Sequence, residues 1–500
     1  MLVLILHLYV NKNNNFYFTV DQGRDAVYVR QILNHHQIFT RGPETNIKGI
    51  FTGPLGDYFI AIGYFVFGGH PYGAVFIMII LNLLTTFVLA KWIAKNFSRT
   101  YALFICFLFQ FFWGFFASAL WGFHPFPLVF LSLMEVICLI KFLDGEKKYY
   151  LVALGIVFLA FNAEVAGAIS LFIFYFVIGI WATKKKIISS KHMLVLSAIF
   201  GSFIIYFARE FILQIVRAKI FHTTVVNSSY GKMGVEVFTG TNFTKMASEF
   251  LKLIGGVAIS QNVYLGVLLF FIITFFFVRL KNKNKFVEKF VYLIFILAAV
   301  SFLFFASNKG WRDWHTIYLA PLLFISLLLM ILSLPKKVFV ILLSIILFSQ
   351  TVNFYQRYTS YLKPSPDPSL LYNQEKVLDW VYTHSEGNGF NLYTYTKSFY
   401  DYPYQYLVSW YGKAKYGFYP CEYSNFPLSI KSLYIPHPEN YVEPKLGCDK
   451  FRFLIIDSDT NGNENKDWMN DFRNLTIFVE ETRIGNTTIE KRKTPDIIKG

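Results

Sequence analysis

Residues 149–183, YYLVALGIVFLAFNAEVAGAISLFIFYFVIGIWAT, form one apolar run with no lysine or arginine and a single acidic residue. As one helix the run would be about 50 Å long, against a bilayer hydrocarbon core of about 30 Å. It would also place Asn162 and Glu164 at its middle, where a lone charge is costly. Two short helices meeting at Asn162-Ala163-Glu164 remove both difficulties. Similar runs lie at about 71–94, 101–119, 127–143, 193–208, 257–279, 290–306, 316–333 and 338–354. Only 16% of the chain is charged and 55% is hydrophobic, whereas a soluble domain carries about a quarter charged residues. The chain reads as a polytopic helical membrane protein.

The split at Asn162 also settles the expected orientation. With it, KWIAKNFSR, KFLDGEKK, TKKKIISSKH, RLKNKNKFVEK and PKK all fall on one side. Their density of Lys and Arg marks the cytoplasm. The net charge of +16 is thereby explained by topology, and no nucleic-acid partner is expected. The opening MLVLILHLYV is too short to span and lacks the features of a signal peptide. It is expected to be the outer half of a truncated first helix, for about eleven spans in all.

This topology places loops at about 17–70 and 209–256 outside, together with a polar tail at 356–500. The expected domains are therefore 1–355, a transmembrane bundle, and 356–500, a small extracytoplasmic α/β domain. Within the tail, breaker-rich KPSPDPS precedes a helical NQEKVLDWVYTH and two strand-like runs, FNLYTYT and FRFLIID. An oxidising compartment would let Cys421 and Cys448 pair, though two free thiols fit the sequence as well. The aromatic run at 398–420 suits either packing or stacking on a glycan, with packing favoured. Sequons begin at Asn227, Asn242, Asn474 and Asn486.

The chemistry concentrates in the first outer loop. DQGRDAVYVRQIL reads as an amphipathic interfacial helix, with Ala26, Val29 and Leu33 on one face. Asp21, Arg24, Asp25 and Tyr28 share another. The plain reading of Asp21 is a helix N-cap, with Arg24 simply paired to a carboxylate. The functional reading is a general base beside a guanidinium.

An acidic residue opening the first outer loop, with Arg three residues later, resembles the GT-C membrane glycosyltransferases. The similarity is to glycosyltransferase family 39, related to protein O-mannosyltransferases and lipid A aminoarabinose transferases. It is carried by DQGRDAVYVRQIL, by GIFTGPLGDYFIAIGYFVFGGHPYGAVFIMIILNLLTTFVLAKWIAK and by the tail run FNLYTYTKSFYDYPYQYLVSWYGKAKYGFYP. The resemblance implies a mainly α bundle of GT-C type in the plasma membrane. It implies an outer-face transferase moving a sugar from a polyprenyl-phosphate carrier to a hydroxyl of a protein, lipid or glycan, with inversion. Asp21 matches the family's general base. An attacking hydroxyl needs such a carboxylate, and a leaving lipid phosphate needs cationic donors. Arg24 is one; Arg312 and His315 in NKGWRDWHTIYLAP are others, although Arg312 with Trp311 and Trp314 also suits an interface anchor.

One departure stands out. The turn TGPLGDY carries Asp57 where relatives often place a basic residue, which shifts the phosphate contact to Arg24 and Arg312 or implies another carrier. Asp25, Asp57, His124 and Glu164 are further cavity candidates. No cofactor is required; a divalent metal is compatible with the chemistry, but nothing in the sequence indicates one. There is no Walker A motif, nucleophile elbow or zinc-ligand spacing. A lipid-linked glycan polymerase or ligase, or a transporter or flippase, remains the alternative.

Overall fold

The computed structural model describes residues 2–45, 49–220, 243–280, 284–307, 312–396, 401–424, 448, 450–457, 469–470 and 472–494. Trp311 and the sequons at Asn227 and Asn242 lie outside these residues. Two compact units emerge. One comprises Met1–Ile5, Ile38–Phe59 and Phe76–Ser360, the other Leu6–Gln37, Ile60–Val75 and Tyr361–Gly500. The division thus differs from a cut at 355, because two early segments pack with the tail.

The first unit is a helical bundle. Tyr72–Asn96, Val165–Lys184, Ser190–Leu213, Lys285–Ala306, Asp313–Leu332 and Lys336–Leu362 contain helix long and apolar enough to cross a membrane. Pro127–Leu143 and Lys148–Ala163 are shorter and fall on other expected apolar runs; Leu2–Val10, on the opening run, is divided between the two units at Leu6. The protein is a multi-pass membrane protein. Helix Leu319–Leu332 is buried on almost every face, and Phe112 stacks on its Phe324 at 4.4 Å. The expected break is present: one helix ends at Ala163, the next begins at Val165, and Glu164 between them is extended.

One expected span is bent: Arg99–Gln110 meets Trp113–Ala119 at 71°. The span expected at 257–279 is Val263–Arg279, and a helix not expected there, Phe243–Ala258, meets it at 74°. Breaks at this depth need substitute partners for the freed backbone groups. The Asn82 amide donates to the Phe115 carbonyl at 3.1 Å. At the second break the Ser260 N–H donates to Ser349 Oγ at 3.0 Å. The Gln350 amide there donates to the Val257 carbonyl at 3.0 Å. The expected 209–256 loop is accordingly shorter, since helix occupies both of its ends.

In the second unit the tail forms a five-stranded sheet. Its strands are β1 (Phe390–Tyr395), β2 (Glu422–Ser424), β3 (Phe451–Asp457), β4 (Ile477–Ile484) and β5 (Thr487–Lys493), in the order β2-β1-β3-β5-β4. β2, β1 and β3 run parallel, and β5 and β4 close the sheet antiparallel. FNLYTYT and FRFLIID supply β1 and β3, and their inward residues are buried. Helix Leu371–His384 matches the predicted one. Cys421 and Cys448 are joined in a disulfide, with Cα atoms 5.7 Å apart.

Candidate functional site

Helix Val20–His35 carries the Asp21 cluster in the second unit. Its N-cap is Thr19, and Asp21 stands inside the first turn. The Thr19 N–H donates to Gln22 Oε1 at 3.0 Å, and the Thr19 hydroxyl donates to the same oxygen at 2.6 Å. This Thr-x-x-Gln pattern is a capping box readable in the sequence, and it relieves Asp21 of the capping role.

Arg24 bridges both carboxylates. Its Nη1 lies 3.3 Å from Asp21 Oδ1, and its Nη2 and Nε lie 3.0 and 3.2 Å from Asp25 Oδ1. The Asp25 side chain is 5% exposed, Arg24 14% and Asp21 35%. The buried pair therefore anchors the guanidinium, and Asp21 is the carboxylate left facing outward. This geometry suits Arg24 to positioning Asp21 better than to receiving a phosphate, since its fork is already occupied.

The helix does not lie on a surface by one apolar face, as its periodicity predicts. Gln22, Gly23, Asp25, Val27, Arg30 and Gln31 are buried along with Ala26 and Val29. The aromatic tail run covers it: helix Tyr402–Leu407 packs on it. A Cβ on Gly23 would stand 2.4 Å from the Pro403 nitrogen. Arg30 reaches the Gln405 carbonyl at 3.5 Å, and Phe18 and Tyr406 rings meet at 6.0 Å. Further along the run, Trp410 donates to the Gly68 carbonyl at 3.1 Å. Packing thus accounts for these aromatics.

A second cluster belongs to the first unit. Glu164 caps helix Val165–Lys184, its Oε2 accepting the Gly167 N–H. Its Oε1 faces His315 Nε2 at 3.8 Å, with both side chains nearly buried. The Arg312 N–H donates to His315 Nδ1 at 3.2 Å, so in the neutral ring the proton sits on Nε2, toward Glu164. His124, Arg312 and Asp313 lie within electrostatic reach of His315. The Arg312 side chain is exposed and makes no ion pair among the described residues.

Below this cluster the hydroxyls of Ser170, Ser301 and Tyr318 form a triangle of 2.8–3.0 Å bonds. That triangle ties three helices together, and no motif or spacing foretells it. A Cβ at Gly167 would press on the Leu128 side chain and stand 3.1 Å from Glu164 Oε2 and 3.2 Å from the His315 carbonyl.

The TGPLG turn docks on the same helix break. Asn162 Oδ1 accepts the Leu55 N–H at 3.0 Å, and a Cβ on Gly53 would collide with the Asn162 amide. Asp57 follows, buried in the first turn of helix Leu55–Val66. Arg41, which the sequence reading passed over, lies over the Tyr206 ring at 4.7 Å and pairs with Glu210 at 3.8 Å. Among the described residues no group of three or more His, Cys, Asp or Glu side chains converges as a metal site.

No protein-family model matches the chain, and no curated protein matches it in sequence. Two solved structures match in fold. Both are ArnT from Cupriavidus metallidurans, one bound to undecaprenyl phosphate and one in the apo state, each with a TM-score of 0.56. Each alignment covers 98% of this chain and 96% of the other, at 11% and 12% identity respectively. At that identity the likeness speaks for architecture alone, and it extends over both the bundle and the tail. The chain has the GT-C fold that ArnT represents.

Proposed function

We propose that this protein is a membrane glycosyltransferase that takes a sugar from a polyprenyl-phosphate carrier and passes it to an acceptor hydroxyl on the outer face of the membrane. The observation that carries this reading is a near-full-length likeness to a protein whose structure holds undecaprenyl phosphate. In the proposed step the acceptor oxygen attacks the anomeric carbon and its proton passes to Asp21. The bond from that carbon to the phosphate oxygen breaks, the electron pair leaves with the lipid phosphate, and the anomeric centre inverts.

Arg24 holds the Asp21 carboxylate in place through the Asp25 anchor. The phosphate contact falls to Arg312, whose guanidinium is exposed and not ion-paired among the described residues. A planar five-donor fork fits a phosphate well. His315 and Glu164 beside it fix the local backbone and proton arrangement. A phosphate monoester leaving group of this kind can be met by arginine without a metal.

The test is transfer by purified full-length protein in nanodiscs, using a panel of polyprenyl-phosphate sugars and candidate acceptors. One donor consumed by the wild type and spared by a folded Asp21→Asn variant is the expected result. Equal turnover in both would return Asp21 to a structural role. Absence of turnover with every donor would turn the reading toward a lipid-linked glycan polymerase or a flippase.

A further inference from the structure

On the lysine-rich side of the first unit, away from the Glu164 cluster, a cavity of about 840 Å³ opens between helices Lys148–Ala163, Val165–Lys184 and Ser190–Ile220. That is the size range of sites that take small amphiphiles. Its rim carries Lys147 and Lys186, and neither lysine is ion-paired among the described residues. Lys186 is held in the left-handed region, with φ of 58°. Its N–H donates to the Thr183 carbonyl at 2.9 Å and the Ile187 N–H to the Ala182 carbonyl at 2.9 Å. The loop that presents this ammonium group is therefore a fixed helix ending.

The polar part of its lining comes from Thr183 and the exposed Ser189, Ser190 and His192. Ser189 and His192 are bonded to each other, Oγ to Nδ1 at 2.7 Å. Helix Ser190–Ile220 starts at this point, so its first N–H groups add partial positive charge. About one turn further along helices Lys148–Ala163 and Ser190–Ile220, the lining residues Leu151 and Val195 are 61% and 51% exposed. On a membrane protein those exposed aliphatic side chains face acyl chains. A site that is cationic and hydroxylic at one end and continuous with lipid-facing surface at the other selects an anionic amphiphile.

We infer that this cavity is a binding site for an anionic phospholipid, its phosphate held by Lys147 and Lys186 and its chains lying along Leu151 and Val195. Basic pockets between membrane helices on the cytoplasmic side bind such headgroups in general. The site is separate from the transferase reading and stands whether or not that reading holds.

The test uses delipidated full-length protein in detergent, titrated with phosphatidylglycerol, phosphatidylethanolamine or inorganic phosphate, with bound ligand counted by native mass spectrometry. Wild type is expected to prefer phosphatidylglycerol by about tenfold or more. Lys147→Glu with Lys186→Glu removes that preference. Lys147→Arg with Lys186→Arg keeps it, as does Lys336→Glu with Lys337→Glu, which changes the same side outside the cavity. Both lysines are solvent-exposed, and an unchanged melting temperature shows that the charge-reversed protein is folded. Equal binding of the two lipids by wild type, or a preference that survives charge reversal, overturns the inference. Inorganic phosphate bound as tightly as phosphatidylglycerol makes the ligand a free anion and overturns it too.

Discussion

His315 directs its Nε2 toward Glu164 Oε1 at 3.8 Å, while the other oxygen of Glu164 accepts the Gly167 N–H. One carboxylate thus caps a membrane helix and orients an imidazole. The two duties separate by substitution. Glu164→Ala loses the cap and is expected to cost about 1 kcal/mol, read as a lower melting temperature. Glu164→Gln keeps an acceptor for Gly167 and removes the charge, so it should melt near wild type while transfer falls about tenfold or more. Unchanged transfer by Glu164→Gln would assign Glu164 to the cap alone.

Removing Arg24 leaves the buried Asp25 carboxylate without its guanidinium. Arg24→Ala should therefore destabilise by roughly 3 kcal/mol. Arg24→Ala with Asp25→Asn should recover most of that loss, because no charge is then left buried. Thermal unfolding of the single and double variants measures the difference. Transfer should stay low in both, since the outward carboxylate of Asp21 is no longer held.

Gly23 is set by backbone proximity rather than by its dihedral freedom. Gly23→Ala would put a methyl 2.4 Å from the Pro403 nitrogen and 2.7 Å from the Tyr402 carbonyl carbon, and neither atom can rotate away. A loss of about 1–3 kcal/mol is expected. Protection from limited proteolysis within 402–416 should drop with it.

Burial raises the Asp401 carboxyl to about 6, opposed by bonds from Gln405 and Thr394. Burial raises Asp457 to about 6 as well, against a bond from Thr487. Both bind their proton more tightly folded than unfolded. Their contribution to folding is therefore full below about pH 4 and is lost as pH rises through about 6. Each is worth up to about 3 kcal/mol. The melting temperature should fall between about pH 4 and pH 6.5 and level off above, and Asp401→Asn with Asp457→Asn should flatten that fall.

The Cys421–Cys448 bond closes a loop with a sequence separation of 27, for which about 2–4 kcal/mol is typical. Protein from cells, denatured without reductant, should resist maleimide labelling at both positions and accept it after reduction. Labelling before reduction would place the tail in a reducing compartment and reverse the expected topology.

How much of this was legible varies from element to element, for physical reasons. The Asn162-Ala-Glu164 break was visible because length and buried charge both forbade one helix. β1 and β3 were visible because FNLYTYT and FRFLIID are short runs rich in aromatic and β-branched residues. The β4–β5 hairpin was not. Its β4 face is largely exposed and rich in Glu, Thr and Arg, so alternation is weak, although the Gly485-Asn486 turn with Gly485 at φ of 58° was a usable signal. The two bends in the bundle escaped notice because their partners, Asn82, Ser349 and Gln350, come from distant helices. The Asp21 helix was read by its 3.6-residue periodicity, yet packing by the tail buries its polar positions too. At that helix, tertiary context overrides amphipathicity.

That packing has a consequence for biogenesis. The Phe18 N–H donates to the Ser369 carbonyl at 2.7 Å, and the Phe18 carbonyl accepts from Gln374 across 356 residues of chain. At roughly 5–20 residues per second, a ribosome takes on the order of half a minute to make the intervening spans. Through that interval the Asp21 helix lacks helix Tyr402–Leu407, which packs on it. The first loop to leave the ribosome is therefore among the last to be packed, and a chain terminated before residue 369 would leave the Asp21 helix without its tail cover.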